Sequence, residues 1–192
     1  IDPDVFLVRE GLEQLENFDL DSSSIYARKG LKRNSWGSSV LLLSCEHLHH
    51  WSLQSFIEKL HHGRIDYDDL INLRYEKSIS SLETKWNEFD EIKPDTILLH
   101  TTEKLTQPWR AGLKLNSNIM PIFKFIPRAP IYKIFGKDLT LGREHPSQEV
   151  NNFFFGELSK CISTNLVSIN DVDEGIENKY LRKDLKDVLK NY

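Results

Sequence analysis

The feature that most constrains the fold is a pair of short apolar runs, at residues 40–44 and 96–100, with helical periodicity between them. Apolar runs of this length, bounded by turn residues, are typical of buried strands. Two strands of one sheet that are joined through a helix are normally parallel. We therefore predict an α/β or α+β fold, with a small mixed sheet of about four or five strands and helices packed on its faces.

Residues 52–62 carry the clearest helix signals in the chain. Ser52 is placed to cap the N-terminus, and Trp51 and Phe56 are spaced to form a hydrophobic staple across that cap. Gly63 follows at the position where a left-handed residue ends a helix. The apolar residues of this helix fall on one stripe, at Leu53, Phe56, Ile57 and Leu60.

A much longer helix is predicted near residues 68–92, because apolar side chains recur there with a heptad-like spacing. These side chains are Tyr75, Ile79, Leu82, Trp86 and Phe89. Pro94 would end this helix, since the residue before a proline avoids helical dihedral angles.

Elsewhere, periodicity predicts helices at residues 4–20, from Pro146 onward and at residues 171–192. Alternating apolar residues at 120–126 and 131–135, on either side of a proline-containing turn, predict two edge strands.

Length and charge restrict the class of protein. A chain of 192 residues fits a single domain, 1–192, and its start at Ile1 leads us to expect a fragment of a longer chain. A net charge of −4 gives no general attraction to nucleic acid or to an anionic membrane. Two cysteines are too few for a disulfide scaffold, so we expect an intracellular protein of the cytoplasm or nucleus. No apolar run is long enough to span a membrane.

Histidines are concentrated around the predicted helix at 52–62, where five of the seven lie between positions 47 and 62. Their ring nitrogens are common metal ligands. The helix would hold its two ends about 15 Å apart, so a single ion could not reach both groups. Only the group before the helix could form a site, with Glu46 as a base, and its candidate ligands are Cys45, His47, His49 and His50.

The run Cys45-Glu-His47-Leu-His49-His50 resembles the His-x-His-x-Asp-His motif of the metallo-β-lactamase fold over six residues. Cysteine replaces the first histidine of that motif, and His49 replaces its aspartate. The resemblance implies a metal-dependent hydrolase, which we keep as an alternative without assigning catalytic roles.

A second resemblance concerns Asp95, Glu103 and Lys104, which are arranged like the acids and lysine of PD-(D/E)xK nucleases. Adjacent strand residues point to opposite faces, so Glu103 and Lys104 would not reach one metal ion. This resemblance implies at most a degenerate, inactive nuclease-like domain.

One dense basic group offers a further alternative, a nucleic-acid-associated subunit. This group consists of Arg28, Lys29, Lys32 and Arg33.

The lack of catalytic motifs and the surplus of apolar side chains favour a non-catalytic protein-interaction subunit or scaffold within a hetero-oligomeric assembly. No phosphate-binding glycine loop, nucleophile elbow or cofactor motif occurs, so we expect no cofactor. Three adjacent phenylalanines, 153–155, would spread over about 200° of a helix, more than one face can bury. Together with the predicted long helix, they suggest contact residues for a partner at Trp86, Phe89, Phe153 and Phe155.

Overall fold

The computed structural model describes residues 1–20, 23–31, 35–115 and 140–192. The chain divides into two compact units, Ile1–His100 and Thr101–Tyr192. Each unit contains its own cluster of buried apolar side chains. The expectation of a single domain over 1–192 stays a prediction.

The first unit contains two three-stranded sheets. The first sheet has the order β1-β6-β5, and its strands are Val5–Leu7, Leu98–His100 and Glu88–Phe89. The second has the order β3-β2-β4, and its strands are Trp36–Leu43, Ile25–Lys29 and Ile79–Ser81. Each sheet joins one antiparallel and one parallel pair. The fold is thus α+β with small mixed sheets, as predicted, but each sheet has three strands rather than four or five.

The two apolar runs at residues 40–44 and 96–100 contribute to strands β3 and β6, but these strands lie in different sheets. Their predicted parallel pairing is therefore wrong. The partners of β6 are β1 and β5, whereas β3 pairs with β2. Of these partners, β1 and β5 lie in segments that the periodicity assigned to helices.

The long helix predicted near 68–92 is one of these errors. The helix in that region, α2, spans only Tyr67–Ile71, and a capping box between Asp66 and Asp69 starts it. Leu73 then takes a left-handed conformation, with φ 51°, which ends the helix. Of the heptad-like residues, Ile79 lies in β4, Trp86 in a 3-10 turn at Thr84–Trp86 and Phe89 in β5. Tyr75 and Leu82 lie outside helices and strands.

The helix predicted at residues 4–20 is also wrong. Its first part is strand β1, which pairs antiparallel with β6, and its second part is a 3-10 turn at Leu12–Leu15. Val5, Leu15, Phe18 and Leu20 nevertheless pack against the core of the first unit. Leu7 and Leu12, which also belonged to the apolar face of the predicted helix, are exposed.

The helix predicted at 52–62 is confirmed as α1, Leu53–His61. The hydroxyl oxygen of Ser52 accepts a hydrogen bond of 3.1 Å from the backbone N–H of Ser55. The rings of Trp51 and Phe56 lie 6.1 Å apart and form the staple. Gly63 follows with φ 62°, the left-handed value expected after the helix.

The second unit is built around α3, Gln148–Ser163, the longest helix of the described residues. Two shorter helices follow, α4, Ile169–Glu177, and α5, Leu185–Leu189. Their shared core is centred on Phe155, Val172 and Leu185. The predicted hairpin at 120–126 and 131–135 lies outside the described residues.

The single helix predicted at 171–192 is wrong, because the chain turns back between α4 and α5. Lys179 has φ 59° at this turn. Leu181 then folds over Gly175, so closely that a Cβ atom on Gly175 would lie 2.6 Å from the Leu181 side chain. A side chain at position 175 would therefore obstruct the turn.

Candidate functional site

The histidine cluster of the sequence is spread over separate contacts. Cys45–His47 forms a 3-10 turn, and the Cys45 thiol is exposed. The ring of His47 lies 3.1 Å from the Ser44 hydroxyl, and that of His50 lies 3.0 Å from the Glu76 carboxylate. Among the described residues, the ligand atoms of this cluster do not gather in a group of three or more that could hold a metal ion.

A different set of candidate ligands does come together. The ligand atoms of Asp2, Asp4 and His100 all lie within 4.8 Å of one another, the one such group in the described part of the chain. His100 is the last residue of β6, and Asp4 directly precedes β1. The antiparallel register pairs Val5 with His100, which brings Asp4 beside the imidazole. We call this set the Asp2–Asp4–His100 group.

The imidazole of His100 is held on both sides. Its Nδ1 lies 2.7 Å from the Ser39 hydroxyl oxygen, and its Nε2 lies 3.4 Å from a carboxylate oxygen of Asp4. The edge of the ring contacts Phe89, with ring centroids 5.7 Å apart. These contacts leave the ring little freedom to turn away from the aspartates.

Sequence reasoning missed this group, because Asp2 and Asp4 are separated from His100 by almost the whole first unit. The one local signal was the spacing of two aspartates at positions i and i+2, which share a face when the chain is extended. That signal was obscured by the helix predicted at 4–20.

Buried polar side chains lie behind the group. Asn87 is fully buried, and its Nδ2 lies 3.5 Å from the Ser39 hydroxyl oxygen. Glu88, which is 2 % exposed, forms ion pairs of 3.0 Å with Arg28 and with Lys93.

The predicted basic group is only partly a solvent-facing surface. Arg28 packs over the ring of Phe89, 3.8 Å from its centroid, and forms its ion pair with Glu88. Lys29 is exposed, whereas Lys32 and Arg33 lie outside the described residues. Arg28 therefore has a structural partner within the first unit.

The predicted partner-contact residues have mixed positions. Trp86 and Phe155 are each 2 % exposed and contribute to the cores of the first and second units. Phe89 and Phe153 are half-buried. As contact residues for a partner, all four stay a prediction.

The exposed apolar side chains lie elsewhere, on α1. Leu53, Ile57 and Leu60 are 77 %, 50 % and 41 % exposed, and none of the nine residues of this helix is buried. Phe56 connects the helix to the rest of the unit, with its ring centroid 5.4 Å from that of Tyr75. Burial, together with the neighbouring Glu76 carboxylate, raises the pKa of Tyr75 to about 12.

A comparison with known proteins found no family model that matches the chain, no similar curated protein and no similar solved structure. No helix within the described ranges has both the length and the apolar character needed to cross a membrane.

Proposed function

We propose that the chain is a non-catalytic protein-interaction subunit and that α1 is its contact surface. The observation that carries this proposal is the exposure of Leu53, Ile57 and Leu60 on one side of a capped helix. Their spacing of i, i+4 and i+7 is the anchor spacing that helical recognition surfaces use. We call these three residues the α1 stripe.

The way α1 is attached supports a binding role. The Ser52 cap and the Trp51–Phe56 staple stabilise the N-terminal end of the helix by local contacts. The ring of Phe56 packs on Tyr75 and occupies the edge of the apolar face, while the α1 stripe stays exposed. A helix that is already ordered loses little conformational entropy when its apolar anchors bind a partner.

The charge around the stripe indicates the chemistry of the partner. Lys59, His61 and Arg64 are close together at the C-terminal end of α1. Glu58, the one acidic residue of the helix, accepts a hydrogen bond from the Gln54 side chain. The occupant we propose is therefore an amphipathic helix of another protein, with apolar anchors and an acidic residue that faces Lys59 or Arg64.

Two designed helical peptides with identical leucine spacing test this proposal, one flanked by glutamates and the other by lysines. Binding of each labelled peptide is followed by fluorescence anisotropy. We expect the glutamate-flanked peptide to bind more tightly. The double variant Leu53→Ser/Ile57→Ser should weaken its binding at least tenfold, since each buried leucine or isoleucine contributes about 1.5–3 kcal/mol.

The matched control is Leu166→Ser, which alters a side chain of the second unit that is 78 % exposed. Equal binding of both peptides, or binding that the stripe variant leaves unchanged, would contradict the proposal. A dimer seen by light scattering and abolished by Leu53→Ser/Ile57→Ser would also contradict it, because the stripe would then bind a second copy of this chain.

A further inference from the structure

We propose that the Asp2–Asp4–His100 group binds a divalent transition-metal ion of the Zn²⁺ class, a site distinct from the contact surface on α1. Two carboxylates and an imidazole supply three ligands, which leaves further positions on the ion for water or another molecule. The mixed oxygen and nitrogen set favours Zn²⁺ over Ca²⁺, because Ca²⁺ is bound almost entirely by oxygen.

The distance between His100 and Asp4 supports this assignment. Nε2 lies 3.4 Å from the Asp4 oxygen. A direct hydrogen bond between an imidazole and a carboxylate is normally about 2.7–2.9 Å long. Two ligands on a tetrahedral Zn²⁺, each about 2.1 Å from the ion, lie about 3.4 Å apart. The separation of this pair matches that of two ligands on one ion, and the whole group, whose ligand atoms lie within 4.8 Å of one another, has to draw closer to reach it.

The second nitrogen of His100 has the partner that a metal-bound histidine requires. Its Nδ1 lies 2.7 Å from the Ser39 hydroxyl oxygen. A metal-ligating histidine almost always donates its other ring N–H to a fixed acceptor, which sets the tautomer and the ring orientation. Ser39 is 5 % exposed on β3, so it is a fixed acceptor.

The buried side-chain amide of Asn87, next to Ser39, indicates which group accepts the proton of the Ser39 hydroxyl. Asn87 is fully buried, its Nδ2 lies 3.5 Å from the Ser39 oxygen, and its Oδ1 has no hydrogen-bond partner. The two ends of an amide are assigned from the hydrogen bonds around them. Exchanging the two ends lets the Ser39 hydroxyl donate to Oδ1, and it turns the amide N–H groups toward the place that Oδ1 occupied.

That exchange fixes a proton on Nδ1 of His100. When the Ser39 hydroxyl donates to Asn87, its oxygen is left to accept Nδ1–H from His100. In neutral imidazole, Nε2 then carries a lone pair and faces the oxygens of Asp4 and Asp2. Two carboxylates and a lone pair within 4.8 Å of one another repel, and either a proton on Nε2 or a metal ion between them relieves that repulsion.

The backbone holds these ligands in place before any ion binds. Asp2 donates its backbone N–H to the Ser39 carbonyl over 2.8 Å, and Val5 donates to the Asp2 carbonyl over 3.2 Å. Asp4 and His100 are fixed by the pairing of β1 with β6. The two aspartates therefore lie at the end of a paired strand, where little backbone ordering is needed to bind an ion.

Calorimetric titration of Zn²⁺ into tag-free protein, after dialysis against a chelator, tests the proposal. We expect one Zn²⁺ per chain and no measurable binding of Ca²⁺ at the same concentration. Asp2→Asn and Asp4→Asn, which preserve the shape of the side chains, should each lower Zn²⁺ affinity at least tenfold. Ser39→Ala should lower the affinity by about 10–100-fold, the range found for second-shell partners of metal ligands.

His49→Ala is the matched control, because it removes an exposed histidine from the other candidate cluster. It should leave binding unchanged. In parallel, ¹⁵N NMR of labelled histidine should show that Zn²⁺ shifts Nε2 of His100 while Nδ1 stays protonated.

Absence of stoichiometric Zn²⁺ binding would overturn the proposal, as would full affinity in both aspartate variants. Loss of binding in His49→Ala but not in Asp2→Asn would place the ion at the Cys45–His50 turn instead. A protonated Nε2 on His100 that persists with Zn²⁺ would show a simple His–Asp ion pair.

Discussion

Arg182 shows how one buried side chain can organise its surroundings. Its side chain is 5 % exposed, bonds to the carboxylates of Glu144 and Asp184, and lies over the ring of Phe155. Its backbone N–H donates to the Trp109 carbonyl over 2.8 Å. A guanidinium presents several donors in one plane, so it can bind two carboxylates at once.

The ion pair between Arg182 and Asp184 predicts how the free energy of unfolding depends on pH. The hydrogen bond from Arg182 lowers the pKa of Asp184 below its usual value of 3.8. Above that pH, Asp184 is ionised in both the folded and the unfolded states, and the full stabilisation is present. As pH falls below 3.8, the unfolded state takes up the proton first, so the free energy of unfolding decreases.

Urea denaturation between pH 7 and pH 2.5 measures this effect. Asp184→Asn should flatten the acid part of the stability curve, because the substituted side chain does not titrate. Asp187→Asn is the control, since Asp187 is 76 % exposed and pairs with Lys190 on the helix surface. An acid slope that Asp184→Asn leaves intact would refute the assignment.

Residue type alone did not reveal the partners of charged side chains. Arg28 was grouped with its basic neighbours, yet in the structure it forms an ion pair with Glu88 and stacks on Phe89. His50 was grouped with its neighbouring histidines and instead lies beside Glu76. The sequence gives the charge of a side chain. The group that contacts this side chain, however, lies on a distant strand or loop.

At the scale of secondary-structure elements, sequence signals between near neighbours predicted the structure correctly, whereas the pattern over a longer stretch did not. The cap, the staple and the terminal glycine of α1 all act within a few residues of one another, and each is confirmed. The heptad-like pattern at 68–92 is a weaker signal, because the same spacing can arise when strands and turns contribute to a core. Leu82 and Trp86 are both buried there, although neither lies in an α-helix.

Gly63 and Gly156 form a matched pair of positions that tests how α1 ends. Neither Gly63 nor Gly156 would bring an added Cβ within 4 Å of another group, but only Gly63 has a positive φ, 62°. We expect Gly63→Ala to lower the free energy of unfolding by about 1 kcal/mol, because L-residues are strained in this region.

Gly156→Ala, in the interior of α3, should raise the free energy of unfolding by up to about 1 kcal/mol, since alanine favours helix. Urea denaturation compares both variants with the parent protein. Changes of the same sign in the two variants would contradict the backbone explanation.

At the scale of the whole molecule, each unit has an apolar core of its own. Tyr26, Val40, Leu82, Trp86, Ile97 and Leu98 form a cluster of the first unit. Phe155, Val172 and Leu185 form the cluster of the second. Because each cluster is built from its own part of the chain, a cavity in one should act mainly within its own unit.

Hydrogen exchange followed by mass spectrometry tests that expectation. Leu82→Ala should destabilise its core by about 2–5 kcal/mol. It should speed exchange in β6 while leaving α4 unchanged. Val172→Ala should have the converse pattern. Equal acceleration in both units from either variant would instead support one cooperative domain over 1–192.

The sequence by itself determined the mixed α and β character, the helix α1 with its ends, and two of the six strands found in the described part of the chain. These features rest on interactions between near neighbours, which spacing and residue type reveal. Only the tertiary structure decided which strands share a sheet, which apolar side chains are exposed on α1 and that Asp2, Asp4 and His100 meet. Periodicity indicates which side of an element faces inward, but strand pairing selects its neighbour from distant parts of the chain.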